Sequence, residues 1–497
     1  MQTLQGIALL IVFIVITAMM SKRIWPALLA LPVLAVAVSL IAGIRVDDIF
    51  KYVIGEGSLM LAEPIVISMF GGALSIMMQK TGIAEGFIKK GAELSGDNPL
   101  VIALVMFIFI ILLFTTLGGL GAMIMVGAIV LPILTSVGIS RLTAAVIMLM
   151  GVSLGGMFNV GNWALYMTSL GLSQAQVLQF IFIIFGIAFT GSLVYIVIQL
   201  YRDGFSLSFW NILKNFLILI GVGAGFVLIT RWTVSSELAP ETREALHLAG
   251  RVVYYLALAA ILLLFLNAAW RAYRFRNSSF HPLHWTAIFT PVIPLILILL
   301  FKVNFLAAFI IAIGYAYMVT YKQDNISVLL KSLIEGSAIV LPAVILMFGI
   351  GWILVSVKGP NTMPLDVMMA HYGTEIWPVR DLMVPFVKQI VPTSGWQYVL
   401  TFTILAPLAL YRGPLNVWGM GFGIASVMMA AGMPAGAILG MLWSVGQLQG
   451  ISDPTNLQNV WIANEMKIDV QKILYNTLPY SWVFALLGLI AAAIIYY

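Results

Sequence analysis

The chain has 497 residues, of which 62% are hydrophobic and only 9% charged, with a formal net charge of +6. A soluble domain carries about 25% charged residues, so a chain this apolar has no way to cover itself with polar surface. It is read as an all-α polytopic membrane protein with the lipid bilayer as its solvent. The absence of cysteine excludes a disulfide framework and thiolate metal sites. His247, His281, His284 and His371 form no ligand spacing, and the basic excess fits a loop bias, so no nucleic-acid partner is expected.

A crossing helix needs roughly 20 mostly apolar residues. In chain order the predicted spans are 5–21, 24–43, 59–79, 142–167, 177–200, 210–230, 251–270, 283–301, 304–320, 337–357, 434–463 and 474–496, about 12 in all. The run Leu4 to Met20 lacks a basic start and the next span follows at once, so it is read as a retained helix rather than a cleaved signal. Two longer apolar stretches, 98–137 and 396–431, are broken near their middles by Gly, Pro or polar residues and are predicted to be re-entrant hairpins. Lys22, Arg23, Lys80, Lys89, Lys90, Arg141, Arg202, Arg271, Arg274, Arg276, Lys322, Lys331, Lys467 and Lys472 then share one side, the cytoplasm, with both termini outside. The expected location is the cell membrane, plasma or inner, crossed many times. Segment 361–371, with 375–391, reads as an amphipathic surface helix on the outer face or as part of the second hairpin.

Comparing the chain with itself shows an internal repeat. Glu56-Gly57-Ser58 recurs as Glu335-Gly336-Ser337, Pro64 as Pro342, and Phe70-Gly71 as Phe348-Gly349. Gly118-Gly119-Leu120-Gly121 aligns with Gly413-Pro414-Leu415-Asn416, Gly138 with Gly432, Gly156 with Gly450, and Asn159-Val160-Gly161-Asn162 with Asp453-Pro454-Thr455-Asn456. The register shifts once, in the loop 358–395. An odd number of crossings separates the copies, so they are expected to be inverted-topology repeats: residues 1–200 and 281–497, joined by linker helices in 201–280.

In such architectures the solute site lies at mid-membrane, where broken helices expose backbone ends. One symmetric pair of breaks is the hairpin tips. Thr115, Thr116, Gly118 and Gly119 offer hydroxyls and free amides, and Arg412, Gly413 and Asn416 form the counterpart. Arg412 is a fixed positive charge deep in an apolar stretch, suited to a substrate carboxylate; the alternative is a guanidinium reaching the outer surface. The other pair is Asn159 and Asn162 against Asp453, Thr455 and Asn456. Pro454 breaks the helix there, and Asp453 is an acid at membrane depth, either a Na⁺ or proton carrier, a helix cap, or both. Asn159, Asp453 and Glu63 are the cation-coupling candidates, with Na⁺ held at Asn159 and Asp453 if it binds. Trp163 and Trp396 line the cavity or anchor at an interface, and Glu56 and Glu335 read as helix-terminus residues.

These residues resemble the ion transporter superfamily, which includes gluconate permeases, citrate and dicarboxylate carriers, lactate permeases and sodium–proton antiporters. The resemblance rests on the glycine-rich tip followed by Leu131-Pro132-Ile133-Leu134 and Gly138-Ile139, on the break from Asn159 to Asn162, and on Ser452-Asp453-Pro454-Thr455-Asn456. It implies a fixed scaffold, a moving transport domain holding the hairpins, a homodimer, and Na⁺ or H⁺ coupling. The tips depart from the Ser-Asn-Thr pattern of dicarboxylate carriers, which bears on the substrate more than on the fold. The resulting expectation is a secondary active transporter of a small carboxylate, coupled to Na⁺ or H⁺ and working by alternating access. The alternative is a Na⁺/H⁺ antiporter without organic substrate. No zinc pattern, Ser/His pair or nucleotide loop suggests an enzyme, and no cofactor beyond Na⁺ is expected.

Overall fold

The computed structural model describes residues 2–22, 24–206, 210, 213, 240–276, 283–321 and 326–497. The predicted span 210–230 therefore lies almost wholly outside the described residues. No strand occurs among them.

The helices are, in order, α1 (Gln2–Ser21), α2 (Ala27–Ile41), α3 (Ala62–Lys80), α4 (Ile83–Ser95), α5 (Pro99–Phe114), α6 (Gly119–Ser136), α7 (Arg141–Met157), α8 (Val160–Leu170), α9 (Gln174–Arg202) and α10 (Pro240–Arg274). They continue as α11 (Ile293–Leu299), α12 (Phe305–Val319), α13 (Ile326–Lys358), α14 (Leu365–Tyr372), α15 (Pro378–Val387), α16 (Gly395–Leu405), α17 (Phe422–Ala430), α18 (Ala435–Ser452), α19 (Leu457–Glu465) and α20 (Val470–Tyr496). Polar residues set many of the starts. Asn98 accepts from the amides of Leu100 and Val101 with Pro99 in the first turn, and Ser140, Asn304, Asn456 and Asp469 cap α7, α12, α19 and α20 in the same way. In lipid these caps matter more than usual, because no water takes the free amides.

Among the described residues seven helices are long and apolar enough to cross a membrane, or nine if each of two bent pairs is one span. This is the make-up of a helical membrane protein. The helices α2, α5 and α12 are shorter apolar pieces. The predicted span 283–301 differs from expectation: it is a 3₁₀ turn, Trp285–Phe289, followed by the short α11. Pro291 and Pro294 remove two amides from that stretch, which prevents one continuous helix. Glu56 and Glu335 are not at helix ends. Helix already begins at Val46 and at Ile326, so both glutamates lie inside helical runs that extend past the apolar window.

The chain forms two compact units: Met1–Ile65, Gly161–Gly191 and Leu341–Tyr497 in the first, Val66–Val160 and Ser192–Val340 in the second. Each therefore draws on both halves of the sequence. In the first unit α18 packs along α20, α16 joins α20, and α1 joins α2. In the second unit α5 packs along α7, and α12 packs on α10 and α11.

In each unit two glycines let backbones touch. In the first unit the Gly351 carbonyl oxygen lies 3.0 Å from where a Cβ on Gly57 would sit. In the second, a Cβ on Gly72 would meet the Gly336 carbonyl, and a Cβ on Gly336 would meet the backbone of Ala73. Small residues at a crossing permit close dispersion contact, the main source of helix association in lipid.

The segment 358–395 packs within the first unit and holds α14 and α15. Glu56 clasps its start, accepting from the amide of Asn361 at 2.6 Å and the hydroxyl of Thr362 at 2.6 Å. Asp48 clasps the end of α14, with Oδ2 at 2.8 Å from Nδ1 of His371 and accepting from the Tyr372 hydroxyl at 2.6 Å. Burial first, then the hydrogen bond to Asp48, push the Tyr372 phenol well above its usual value, so it remains a donor at physiological pH. Replacing Glu56 with alanine removes the acceptor for Asn361 and Thr362. The expected result is faster protease cleavage within 358–364 in the solubilised protein, with cleavage elsewhere unchanged.

Candidate functional site

The two breaks of the second half, the tip at 412–416 and the break at 453–456, both lie within the first unit. After α16 the chain runs through a kinked 3₁₀ turn, Ala406–Arg412, and a distorted turn, Val417–Gly421, so that the arms before and after the tip are bent by 99°. Tyr411 and Arg412 both take left-handed backbone, with φ 54° and 56°. Neither is glycine, and each such residue costs about 1–2 kcal/mol. Two together need a local compensation, and one is visible: the Tyr411 amide donates to Oδ1 of Asp453 at 3.0 Å.

Asp453 ends α18, where Pro454 stops the helix. Its side chain is buried, and every hydrogen bond it makes goes through Oδ1, which also accepts from the amide and the hydroxyl of Thr455 at 2.9 and 2.8 Å. Oδ2 has no hydrogen-bond partner among the described residues. Asp453 is thus a buried acid that caps the turn through Thr455, whereas the helix cap expected of it falls to Asn456, which caps α19.

More contacts tie the hairpin tip to the broken helix. Gln449 accepts from the Val417 amide at 2.8 Å, and its backbone carbonyl accepts from the Asn456 side chain at 3.4 Å. Asn416 is buried and donates to the Ala409 carbonyl at 3.0 Å, closing the tip on itself. Gly413 is required, since a Cβ there would strike the Leu408 carbonyl. Arg412 is half-buried and makes no hydrogen bond or ion pair among the described residues. A guanidinium kept out of bulk water without a partner is costly, so it is the group here that gains most from an anion. Beneath the break, Ser452 shares a hydroxyl network with Thr477 and Ser481 of α20, 2.8 Å to each. Asn459 donates to the Ile451 carbonyl at 2.9 Å, satisfying a group freed by the break. Sequence reasoning passed over Thr477, Ser481 and Asn459. The signal was present for the first two, a polar i, i+4 pair on one face of an apolar helix.

The first hairpin tip lies in the second unit. Thr115 and Thr116 are buried, and their hydroxyls donate back to the carbonyls of Leu112 at 2.7 Å and Leu113 at 3.2 Å. They therefore finish α5, and only their oxygen lone pairs remain for a ligand. Gly118 is extended and Gly119 left-handed, with φ 79°, and α6 starts there without a side-chain cap. Its first amides are open to a ligand or to water. Asn159 follows α7 in the second unit, while Asn162 stands in the first turn of α8 in the first unit; both are half-buried and neither is without a partner. Glu63 sits in the first turn of α3 with its side chain exposed, and it is not among the partners of Asp453. Trp163 is fully buried, whereas Trp396 is 68% exposed, as an interfacial anchor would be.

Among the described residues no three His, Asp or Glu side chains converge as a metal cluster. A monovalent cation would instead use Asp453 with amide and carbonyl oxygens. The arrangement sets groups of both charges close in sequence: the buried Asp453 carboxylate and, one residue beyond the Tyr411 amide it accepts from, a guanidinium with no partner among the described residues. No protein-family model matches the chain, and no curated protein matches its sequence.

Proposed function

We propose that the protein is a secondary active transporter that moves a small carboxylate across the cell membrane, coupled to Na⁺ or H⁺, by alternating access. The observation that carries this reading is the Asp453 carboxylate receiving the strained Tyr411 amide beside Arg412. Two interrupted helices meet there through polar backbone, an arrangement that in a bilayer is tolerated only where it lines a cavity or is buried in protein. Arg412 would meet the substrate carboxylate, and Asp453 Oδ2 would take the coupling cation or proton. Residues 98–137 and 396–431 act as re-entrant hairpins in this reading, within about 12 spans. Thr115, Thr116, Gly118, Gly119, Asn162, Gly413, Asn416, Thr455 and Asn456 complete the polar lining, with Asn159 and Glu63 as further coupling candidates.

Two inverted repeats and a homodimeric assembly belong to the same reading, and glycines stand at two close backbone contacts. Gly57 and Gly336 are equivalent positions of the repeat, while Gly72 is opposite Ile350, one position from Gly351. The observed pairs are Gly57 with Gly351 and Gly72 with Gly336.

The test is flux into proteoliposomes with a panel of mono-, di- and tricarboxylates, with and without a Na⁺ or pH gradient. Uptake of at least one carboxylate that needs one of the gradients is expected. Gradient-driven Na⁺/H⁺ exchange with no carboxylate moved would overturn it in favour of the antiporter. For Arg412→Ala we expect apparent substrate affinity to fall roughly 10-fold or more, as for loss of a charge-assisted hydrogen bond. Arg412→Lys should recover part of it, because lysine keeps the charge but not the planar fork.

A further inference from the structure

Among the described spanning helices, α10 is the one with the smallest buried share. Only 11% of its apolar window is buried, against 28% or more for each of the six other spanning helices among the described residues. One side of α10 forms the wall of an open-sided groove of about 720 Å³, which includes Ala260, Leu264 and Trp270. The facing wall carries Trp285, Phe289 and Ile296. Tyr315 of α12 ties the walls together: its ring packs on Phe265 of α10 at 5.1 Å, and its hydroxyl donates to the Thr286 carbonyl at 2.7 Å. The groove is therefore a built feature of the second unit.

It is apolar along its length and polar at one end. Asn267 and Thr286 line it where α10 finishes, next to Arg271, Arg274 and Arg276. Arg274 lies over the Trp270 ring at 5.2 Å, and Arg276 over Tyr273 at 4.6 Å, so aromatic faces hold both cations near the end of the groove. His284 on the facing wall is within electrostatic reach of Arg271. The acids of α4, which packs against the Trp285–Phe289 turn, are taken up by lysines: Glu85 with Lys89 at 2.6 Å and Glu93 with Lys90 at 2.8 Å.

We propose that this groove binds an anionic phospholipid, with an acyl chain against α10 and the phosphate head group against Arg271, Arg274 and Arg276. An apolar slot ending in a basic cluster at the membrane edge is the shape and charge of such a lipid. A second copy of the chain fits worse, because a two-fold contact along α10 would set these arginines against their own counterparts. The inference rests on membrane embedding and is independent of any transport activity.

The experiment is lipid titration of the delipidated protein, read by native mass spectrometry, with phosphatidylglycerol and phosphatidylcholine of the same acyl chains. One phosphatidylglycerol per chain is expected to bind in preference to phosphatidylcholine. Arg271→Gln/Arg274→Gln/Arg276→Gln should weaken phosphatidylglycerol roughly 100-fold, at roughly 5-fold per arginine, and leave phosphatidylcholine unchanged. Ala260→Phe, which fills the slot, should weaken both lipids. If the triple variant fails to fold, Arg274→Gln alone should show the roughly 5-fold loss with an unchanged thermal midpoint. Equal binding of the two lipids by the unaltered protein, or full phosphatidylglycerol affinity in the arginine variants, overturns the proposal. The native chain has no cysteine, so Leu266→Cys gives a clean cross-link test. A disulfide between two copies in the membrane would assign the groove to a second chain and overturn it too.

Discussion

Asp453→Asn and Asp453→Ala are expected to separate structure from coupling. Asparagine retains an acceptor oxygen at the Oδ1 position, so the Tyr411 and Thr455 amides keep their partner. Its thermal midpoint should stay within a few degrees of the unaltered protein, while cation-driven uptake falls below about 1%, a loss of roughly 3 kcal/mol in coupling. Alanine removes the acceptor altogether. Two buried amides and a hydroxyl then lose their partner, at about 1–3 kcal/mol each, and the left-handed turn at Tyr411 and Arg412 loses the contact that offsets its strain. The alanine protein should therefore both unfold at lower temperature and fail to transport. Scanning fluorimetry and proteoliposome uptake on the two variants distinguish the roles. Full gradient-driven uptake by Asp453→Asn would remove Asp453 from coupling and leave it a cap.

The second large effect is expected at the glycine contact of the second unit. Gly336→Leu places a side chain against the Ala73 backbone, and Gly72→Leu against the Gly336 carbonyl. Neither neighbour is a flexible side-chain end that can swing away, so the helices must part. The penalty is about 3 kcal/mol or more, a large share of the roughly 5–15 kcal/mol that keeps a typical protein folded. Gly314 of α12 is the control. No atom lies within 4 Å of its would-be Cβ, and alanine is better than glycine inside a helix by about 0.5–1 kcal/mol. Gly314→Ala should therefore leave the yield of monodisperse protein unchanged, while either leucine variant should reduce it several-fold. Equal yields of Gly336→Leu and the unaltered protein would show that the two backbones do not approach as described.

Much of the site was legible because breaks in apolar helices are written locally. Pro454 has no amide to give, and Asp453, Thr455 and Asn456 are cap-forming types, so the end of α18 is set by neighbours in sequence. The tip at Gly413 and Asn416 was marked by residues that suit a turn. Not legible were the partners across it. Val417 finds Gln449, Tyr411 finds Asp453, and Ser452 finds Thr477 and Ser481, over separations of 25 to 42 positions. Two side chains with several acceptors in reach become a pair only when packing brings them together. Glu56 illustrates the same limit: it reads as a helix-terminus residue, yet it lies inside a helical run and holds the backbone at Asn361, 305 positions away.

By itself the amino-acid sequence determined that this is a membrane protein, that its backbone is helical, and where some of its helices break. Each of those follows from transfer free energy and local stereochemistry, which act on neighbours along the chain. Only the tertiary structure decided which broken ends meet, which acid is buried and which exposed, and which helix is left bare beside a basic cluster. Those outcomes depend on contacts between residues tens to hundreds of positions apart, and a carboxylate such as Asp453 or Glu63 acquires its character from what finally surrounds it.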